Sequence, residues 1–151
     1  MGRDVVTCET INQLFNGAVR RGGQNRFQWW RTGPDTTDSL TYTQVGYKVK
    51  DLCGALLEMG IEKRDRIAVM APNCPQWLWA DMAILNAGGV TVTIYPTSSE
   101  HELSYIINDS GCRAIFVKDA DILQRVLNSA NNLPTLEKII VMDSEYEGNH
   151  P

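Results

Sequence analysis

The sequence is poor in the residues that build metal sites and covalent frameworks. It has four cysteines, none in a Cys-x-x-Cys pair, and only two histidines, His101 and His150. Cys8, Cys53, Cys74 and Cys112 lie far apart, a spacing that argues against a zinc module and for free thiols in a reducing cytoplasm. No run of lysines or arginines offsets the acidic balance locally, and 14 of them face 18 acidic residues, for a net charge of −4. Without a basic field, a nucleic-acid partner is not expected. The longest uncharged stretch, Met82 to Ser99, contains Asn86, two glycines and Pro96, which rules it out as a spanning helix. A signal-peptide pattern, internal repeats beyond simple element alternation, low-complexity tracts and linkers are also missing. So are both phosphate-binding fingerprints, G-x-G-x-x-G after a strand and G-x-x-x-x-G-K-S/T.

What remains is ordinary globular composition, 43% hydrophobic and 21% charged, which predicts one soluble domain with its own core. Its organising stretch is Arg66 to Pro96, read as strand, helix, strand. Ile67 to Met70 and the β-branched run Val90 to Tyr95 fit parallel strands buried on both faces, so both are expected to be central. Asn73 is the expected cap of the helix between them, Pro75 suits its first turn, and Gly88-Gly89 ends it. Trp77, Leu78, Trp79, Met82, Ala83, Ile84 and Leu85 cover nearly its whole circumference, which predicts a buried helix.

Before this unit, residues 9–23 predict an outer amphipathic helix, with Ile11, Leu14, Phe15, Ala18 and Val19 on one face. Residues 26–42 predict a hairpin, Arg26 to Arg31 and Leu40 to Tyr42 around Gly33-Pro34-Asp35. Thr43 is the expected cap of the next helix, whose stripe is Val45, Val49, Leu52, Cys53, Leu56 and Leu57. After the unit, Ser99 and Glu102 form a capping box for a helix stopped at Gly111. Ala114 to Val117 is a strand, Asp119 or Asp121 caps a further helix, and Ile139 to Met142 is another strand. Residues 43–142 thus alternate helices and strands, which predicts an α/β fold, a doubly wound and mainly parallel sheet with helices on both faces. Residues 143–151 are a polar tail.

Such a sheet binds ligands at the carboxyl ends of its strands, here Ala71 to Asn73, Tyr95 to Ser98, Lys118 to Asp119, and Asp143. Candidate chemistry there is thin. Thr97-Ser98-Ser99 opens a helix and could hold an anion, but a cap with spare hydroxyls explains it as well. Gly88-Gly89 follows a helix, as a C-cap does. His101 sits beside glutamates in a first turn, where a solvated side chain suffices. Asp81, in the middle of an apolar helix, needs a structural partner if buried. Trp29, Trp30, Trp77 and Trp79 include neighbours that cannot share one core, so some of Trp30, Trp77 and Trp79 are expected to face another part of a larger protein.

Three segments together resemble a known family: LTYTQV at 40–45, DRIAVMAPNCPQWLWADMAILNAGGVTVTIYPTSS at 65–99, and RAIFV at 113–117. They look like the N-terminal part of an adenylate-forming (AMP-binding) enzyme, most like the long-chain fatty acid:CoA ligases, in which I-Y-P-T-S-S after an A-G-G helix terminus is typical. Leu40-Thr41-Tyr42 and Leu85-x-Ala87-Gly88 correspond to the first two core motifs of the superfamily. The match runs from about Ile11 to Asp143; Gln44, Val45 and Thr93 depart from the usual Glu, Leu and Pro. The resemblance implies an incomplete N-terminal subdomain. In the complete enzyme, a fatty acid and ATP form an acyl-adenylate that CoA then captures, with Mg2+ at the phosphates. The family's phosphate loop, adenine motif and hinge would all lie downstream. No catalytic, cofactor-binding or metal-binding residue is therefore expected within 1–151, nor tight binding of ATP, Mg2+ or CoA. The expected partner is the remainder of the enzyme. The resemblance leaves open a homo-oligomer and a peripheral membrane contact beside the cytoplasmic default. The alternative is a self-contained flavodoxin-like domain, binding a small ligand or regulating a partner, with its ligand over Tyr95 to Ser98 or Lys118 to Asp119.

Overall fold

The computed structural model describes residues 7–143; of the polar tail expected at 143–151, only Asp143 falls inside that range. The chain opens with α1 (Ile11–Gly22), capped by Thr10, whose side chain accepts from the Gln13 N–H. On its apolar face Phe15 is buried, but Ile11 and Leu14 are exposed. The hairpin follows as β1 (Arg26–Arg31) and β2 (Thr37–Thr41), paired antiparallel with an irregularity between Arg26 and Gln28.

The second helix, α2 (Tyr42–Glu58), is capped by Thr41 rather than the expected Thr43. Thr41 Oγ1 accepts from the Gln44 N–H at 3.2 Å and Gln44 Oε1 accepts from the Thr41 N–H at 2.8 Å. That box needs a polar residue three positions after the cap; Thr43 has only Gly46 there. Val45, Val49 and Leu56 are buried as expected, whereas Leu57 is exposed.

Four strands form one parallel sheet: β3 (Arg66–Met70), β4 (Val90–Ile94), β5 (Ala114–Val117) and β6 (Lys138–Val141), in the order β4-β3-β5-β6. Helices α3 (Pro75–Asn86), α4 (Glu100–Ser110) and α5 (Ala120–Asn128) connect them. Alternation along the strands divides the core in two. Ile67, Val69, Ala114 and Phe116 face α1, α2 and α3; Ala68, Met70, Ile115 and Val117 face α4 and α5. Helices thus cover both faces, as a doubly wound sheet requires. Counted from β3 the order is 2-1-3-4, which puts the reversal of winding between β3 and β5.

Two expectations about the central unit are corrected. Among the described residues β4 pairs with β3 alone, so it is an edge strand, and Val90 is 46% exposed. Its β-branched run specified a strand but not a position in the sheet, because neighbours are chosen by the crossovers. The cap of α3 is Cys74, with no side-chain bond, and Asn73 is exposed one residue earlier. Pro75 forces the preceding residue into extended backbone, which sets the boundary at Cys74 (φ −147°, ψ 161°) without any help from a capping side chain. At the other end Gly88 takes φ +84°, while Gly89 is held by proximity. A Cβ on Gly89 would stand 3.1 Å from both the Asp65 carbonyl oxygen and Ile84 Cγ2.

Candidate functional site

The crevice that topology selects lies where β3 and β5 end. Ala71 is buried there, Pro72 and Asn73 are exposed, Lys118 is half-buried, and Asp119 is used as the cap of α5, accepting from the Ile122 N–H at 3.0 Å. Beside it a hollow of about 460 Å³ is walled by the hairpin, from Phe27 to Trp30, and by Asn73, Cys74 and Pro75. Gln28 ties the hairpin to α3, accepting from Trp79 Nε1 at 2.7 Å and donating to the Pro75 carbonyl at 3.4 Å. Trp30, Trp77 and Trp79 are all half-buried, and the outward tryptophan is Trp29, 65% exposed.

Beyond β4 the loop 95–99 is held from an unexpected direction. Arg125 of α5 donates Nη1 to the Pro96 carbonyl at 2.5 Å and Nη2 to the Ser98 carbonyl. Nothing local marks Arg125 for this role, since it lies 27 and 29 positions from its two acceptors. Thr97-Ser98-Ser99 is not an anion cradle. The Ser98 N–H bonds the Tyr95 carbonyl, the Ser99 N–H bonds Glu102 Oε2 at 2.8 Å, and the Glu102 N–H bonds Ser99 Oγ at 3.2 Å. The carboxylate at this helix start is the chain's own, and the Ser99 backbone and side-chain bonds hold the Glu102 pKa below its usual range. His101 lines a shallow hollow of about 380 Å³ between the exposed Tyr95 and Tyr105; it is itself exposed, and the Glu102 carboxylate beside it is bonded to the Ser99 N–H.

The other candidates are structural. Gly88-Gly89 ends α3 at the opposite end of the sheet from the crevice, and the Gly88 carbonyl accepts from the Arg64 N–H at 2.8 Å. Asp81 is half-buried, not enclosed as the apolar sequence around it suggested. All four cysteines are free; Cys8 is exposed and Cys112 buried. Burial pushes the thiols of Cys112 and Cys53 up, away from nucleophilic thiolate. Among the described residues no group of three His, Cys, Asp or Glu could hold a metal ion, and no helix is long and apolar enough to cross a membrane.

The strongest polar cluster is an ion network at the amino ends of the strands, which the sequence did not announce. Arg113 contacts Asp65 through Nη1 and grips Glu137 with Nε (3.0 Å) and Nη2 (2.8 Å). Arg66 similarly donates to the carbonyls of Ser110 and Gly111 at 2.7 and 2.9 Å. These arginines join β3, the end of α4 and the start of β5 far from the crevice. They have the geometry of braces.

The comparisons agree with this architecture. The family described as AMP-binding enzyme matches residues 16–150. The long-chain-fatty-acid–CoA ligase heimdall of Drosophila melanogaster is 26% identical over 145 residues, 94% of this chain and 21% of that protein. The acyl-CoA ligase sidI of Aspergillus fumigatus is 31% identical over 125 residues, 76% of this chain and 21% of that protein. Among solved structures, the N-terminal domain of FACL13 from Mycobacterium tuberculosis superposes with a TM-score of 0.77 at 23% identity, covering 91% of this chain and 35% of that one. The chain therefore spans about a fifth of the length of the curated relatives it matches.

Proposed function

Because the chain belongs to the AMP-binding enzyme family, we propose that it is the N-terminal portion of an ATP-dependent long-chain fatty acid:CoA ligase and acts there as scaffold, not as catalyst. The observation that carries this reading is the alignment of a long-chain-fatty-acid–CoA ligase along 94% of the chain, although the chain spans only 21% of that relative. In the complete reaction the fatty acid carboxylate attacks the α-phosphorus of ATP, pyrophosphate leaves, and the CoA thiol then displaces AMP from the acyl-adenylate. The described residues supply no cluster fitting Mg2+, and burial pushes the Cys53 and Cys112 thiols up, away from nucleophilic thiolate. What they supply is a sheet whose β3 and β5 ends, with the hairpin tied to α3 by Gln28 and the loop after β4 held by Arg125, form one wall against which a ligand-bearing segment can be positioned. The open edge of β4 supports the same reading, because an unpaired edge suits a sheet that the remainder of the enzyme extends.

The test is pyrophosphate release. The purified 151-residue chain should release none from ATP and palmitate above a protein-free control. A longer polypeptide that begins with this chain and continues through a relative's remaining domains should release it with palmitate in preference to octanoate or anthranilate. Turnover by the short chain would overturn the scaffold reading, and preference for the small acids would overturn the long-chain one.

A further inference from the structure

A hollow of about 550 Å³ lies away from the strand ends, between α1 and α2, and no role in the ligase reading uses it. Two glycines let the helices approach closely beside it. A Cβ on Gly46 would stand 2.6 Å from Val19 Cγ1, and one on Gly22, at the end of α1, would stand 2.2 Å from Tyr42 Cδ2. The hollow is lined by Val19, Val49 and the 63%-exposed Tyr47. Arg20 and Lys50 reach the same space, and no carboxylate lines it. In a chain of net charge −4 this is a local reversal of sign. Neither cation makes an ion pair or side-chain hydrogen bond among the described residues, since the only salt bridges there belong to Arg113. The volume is within the ordinary range for small-ligand sites.

From this combination of an apolar floor, two unpaired cations and no acid, we propose that the α1–α2 hollow binds a small amphipathic anion. Its ligand is a sulfonate, carboxylate or phosphate monoester carried on a compact apolar body. The acidic group sits between the exposed Arg20 and Lys50 side chains, where charge-assisted hydrogen bonds form at the rim of the hollow. The apolar body covers Val19, Val49 and the Tyr47 ring. Both parts are needed, because a bare anion gains nothing from the floor and a neutral hydrophobe leaves the cations unpaired. The occupant is a single molecule in solution rather than a bilayer, since the cations and the apolar side chains share one hollow rather than a flat face.

The proposal is tested on the 151-residue chain, labelled with 15N and titrated with naphthalene-1-sulfonate. Saturable shifts are expected at the amides of Val19, Gly46, Val49 and Cys53. Sulfate and neutral 1-naphthylmethanol should each bind about tenfold more weakly or worse, the scale of losing one charge-assisted contact or its apolar counterpart. Arg20→Glu with Lys50→Glu should abolish the response, while Arg31→Glu with Lys138→Glu, an equal change in net charge elsewhere, should leave it intact. If the charge reversal disturbs the circular dichroism spectrum, Arg20→Gln with Lys50→Gln gives the same comparison without repulsion. Equal binding of the neutral alcohol, an unchanged response in the Arg20 and Lys50 variants, or binding seen only with phosphatidylglycerol vesicles would each overturn the small-anion site.

Discussion

The same substitution, glycine to alanine, should move stability in opposite directions at two places in the α1–α2 pair. At Gly22 a Cβ would lie 2.2, 2.3 and 2.8 Å from Cδ2, Cγ and Cε2 of Tyr42. The near atom Cγ is not the free end of a flexible chain. Tyr42 is the first residue of α2, its N–H bonds the Asn25 carbonyl at 3.1 Å, and its ring stacks on Phe27 at 4.3 Å with an 18° interplanar angle. Relief requires either moving the ring off Phe27, about 0.5–1.5 kcal/mol of aromatic contact, or pushing α1 away from α2. Overpacking of this kind costs about 1–3 kcal/mol, against a helix-propensity gain of at most about 1 kcal/mol. Gly22→Ala should therefore destabilise by about 1–2 kcal/mol. Gly54, inside α2, has nothing within 4 Å of its would-be Cβ, so only the propensity gain remains and Gly54→Ala should stabilise by about 0.5–1 kcal/mol. Gly46→Ala meets a single Val19 methyl at 2.6 Å and should fall between them. Urea unfolding followed at 222 nm, with the m-value unchanged, measures all three. A Gly22→Ala protein as stable as Gly54→Ala would refute the idea that the close approach of Tyr42, and not backbone freedom, keeps position 22 a glycine.

Ser99→Ala should cost about 1 kcal/mol through loss of the α4 cap, and a second change Glu102→Ala should add less to it than it costs alone; simple additivity would remove the reciprocal box. Arg113→Met should lower the urea midpoint at pH 7, with a gap to wild type that narrows in acid. Burial pushes the Asp65 carboxyl up, but the Glu62 N–H and Arg113 outweigh it and hold the pKa below its ordinary 3.8. Arg113 also holds Glu137 below its ordinary 4.5. Both folded values are depressed, so their stabilisation is complete above the unfolded values and is lost as pH falls through the folded ones. A gap of constant size from pH 7 to pH 3 would dissociate the brace from these carboxylates. At the β4 edge, the Val90 N–H bonds the Asp65 carbonyl at 2.8 Å. In a parallel ladder that turns the N–H groups of Thr91 and Thr93 outward. Left uncovered, that edge is expected to pair with a second copy of the chain at micromolar concentration, and Thr93→Pro should suppress this association without loss of fold, measured by sedimentation velocity; unchanged association would place the contact elsewhere.

Features encoded within a turn or two of the chain were legible in the residues themselves. The alternation of helix and strand, the Ser99–Glu102 box, the stop at Gly111 and the continuous burial of β3 and β5 follow from hydrogen-bond geometry and unbroken apolar runs. The family resemblance was legible too, because motif order survives where identity is low. Capping failed where two threonines competed at the start of α2: Thr41 won through Gln44, a reading the sequence allowed. At α3 the boundary came from Pro75 alone.

Only the tertiary structure decided that β4 is an edge, that Trp29 faces outward instead of Trp30, Trp77 or Trp79, that Arg125 holds the loop after β4, and that Arg113 bridges Asp65 and Glu137. Each depends on groups well separated in sequence, 48 and 24 positions in the case of Arg113. A β-branched run has the same composition in the middle of a sheet as at its border, and an arginine has the same helix propensity with or without a carbonyl to bind. The crossovers bring those groups together, so the α1–α2 hollow and its two unpaired cations also belong to the fold and to no local pattern.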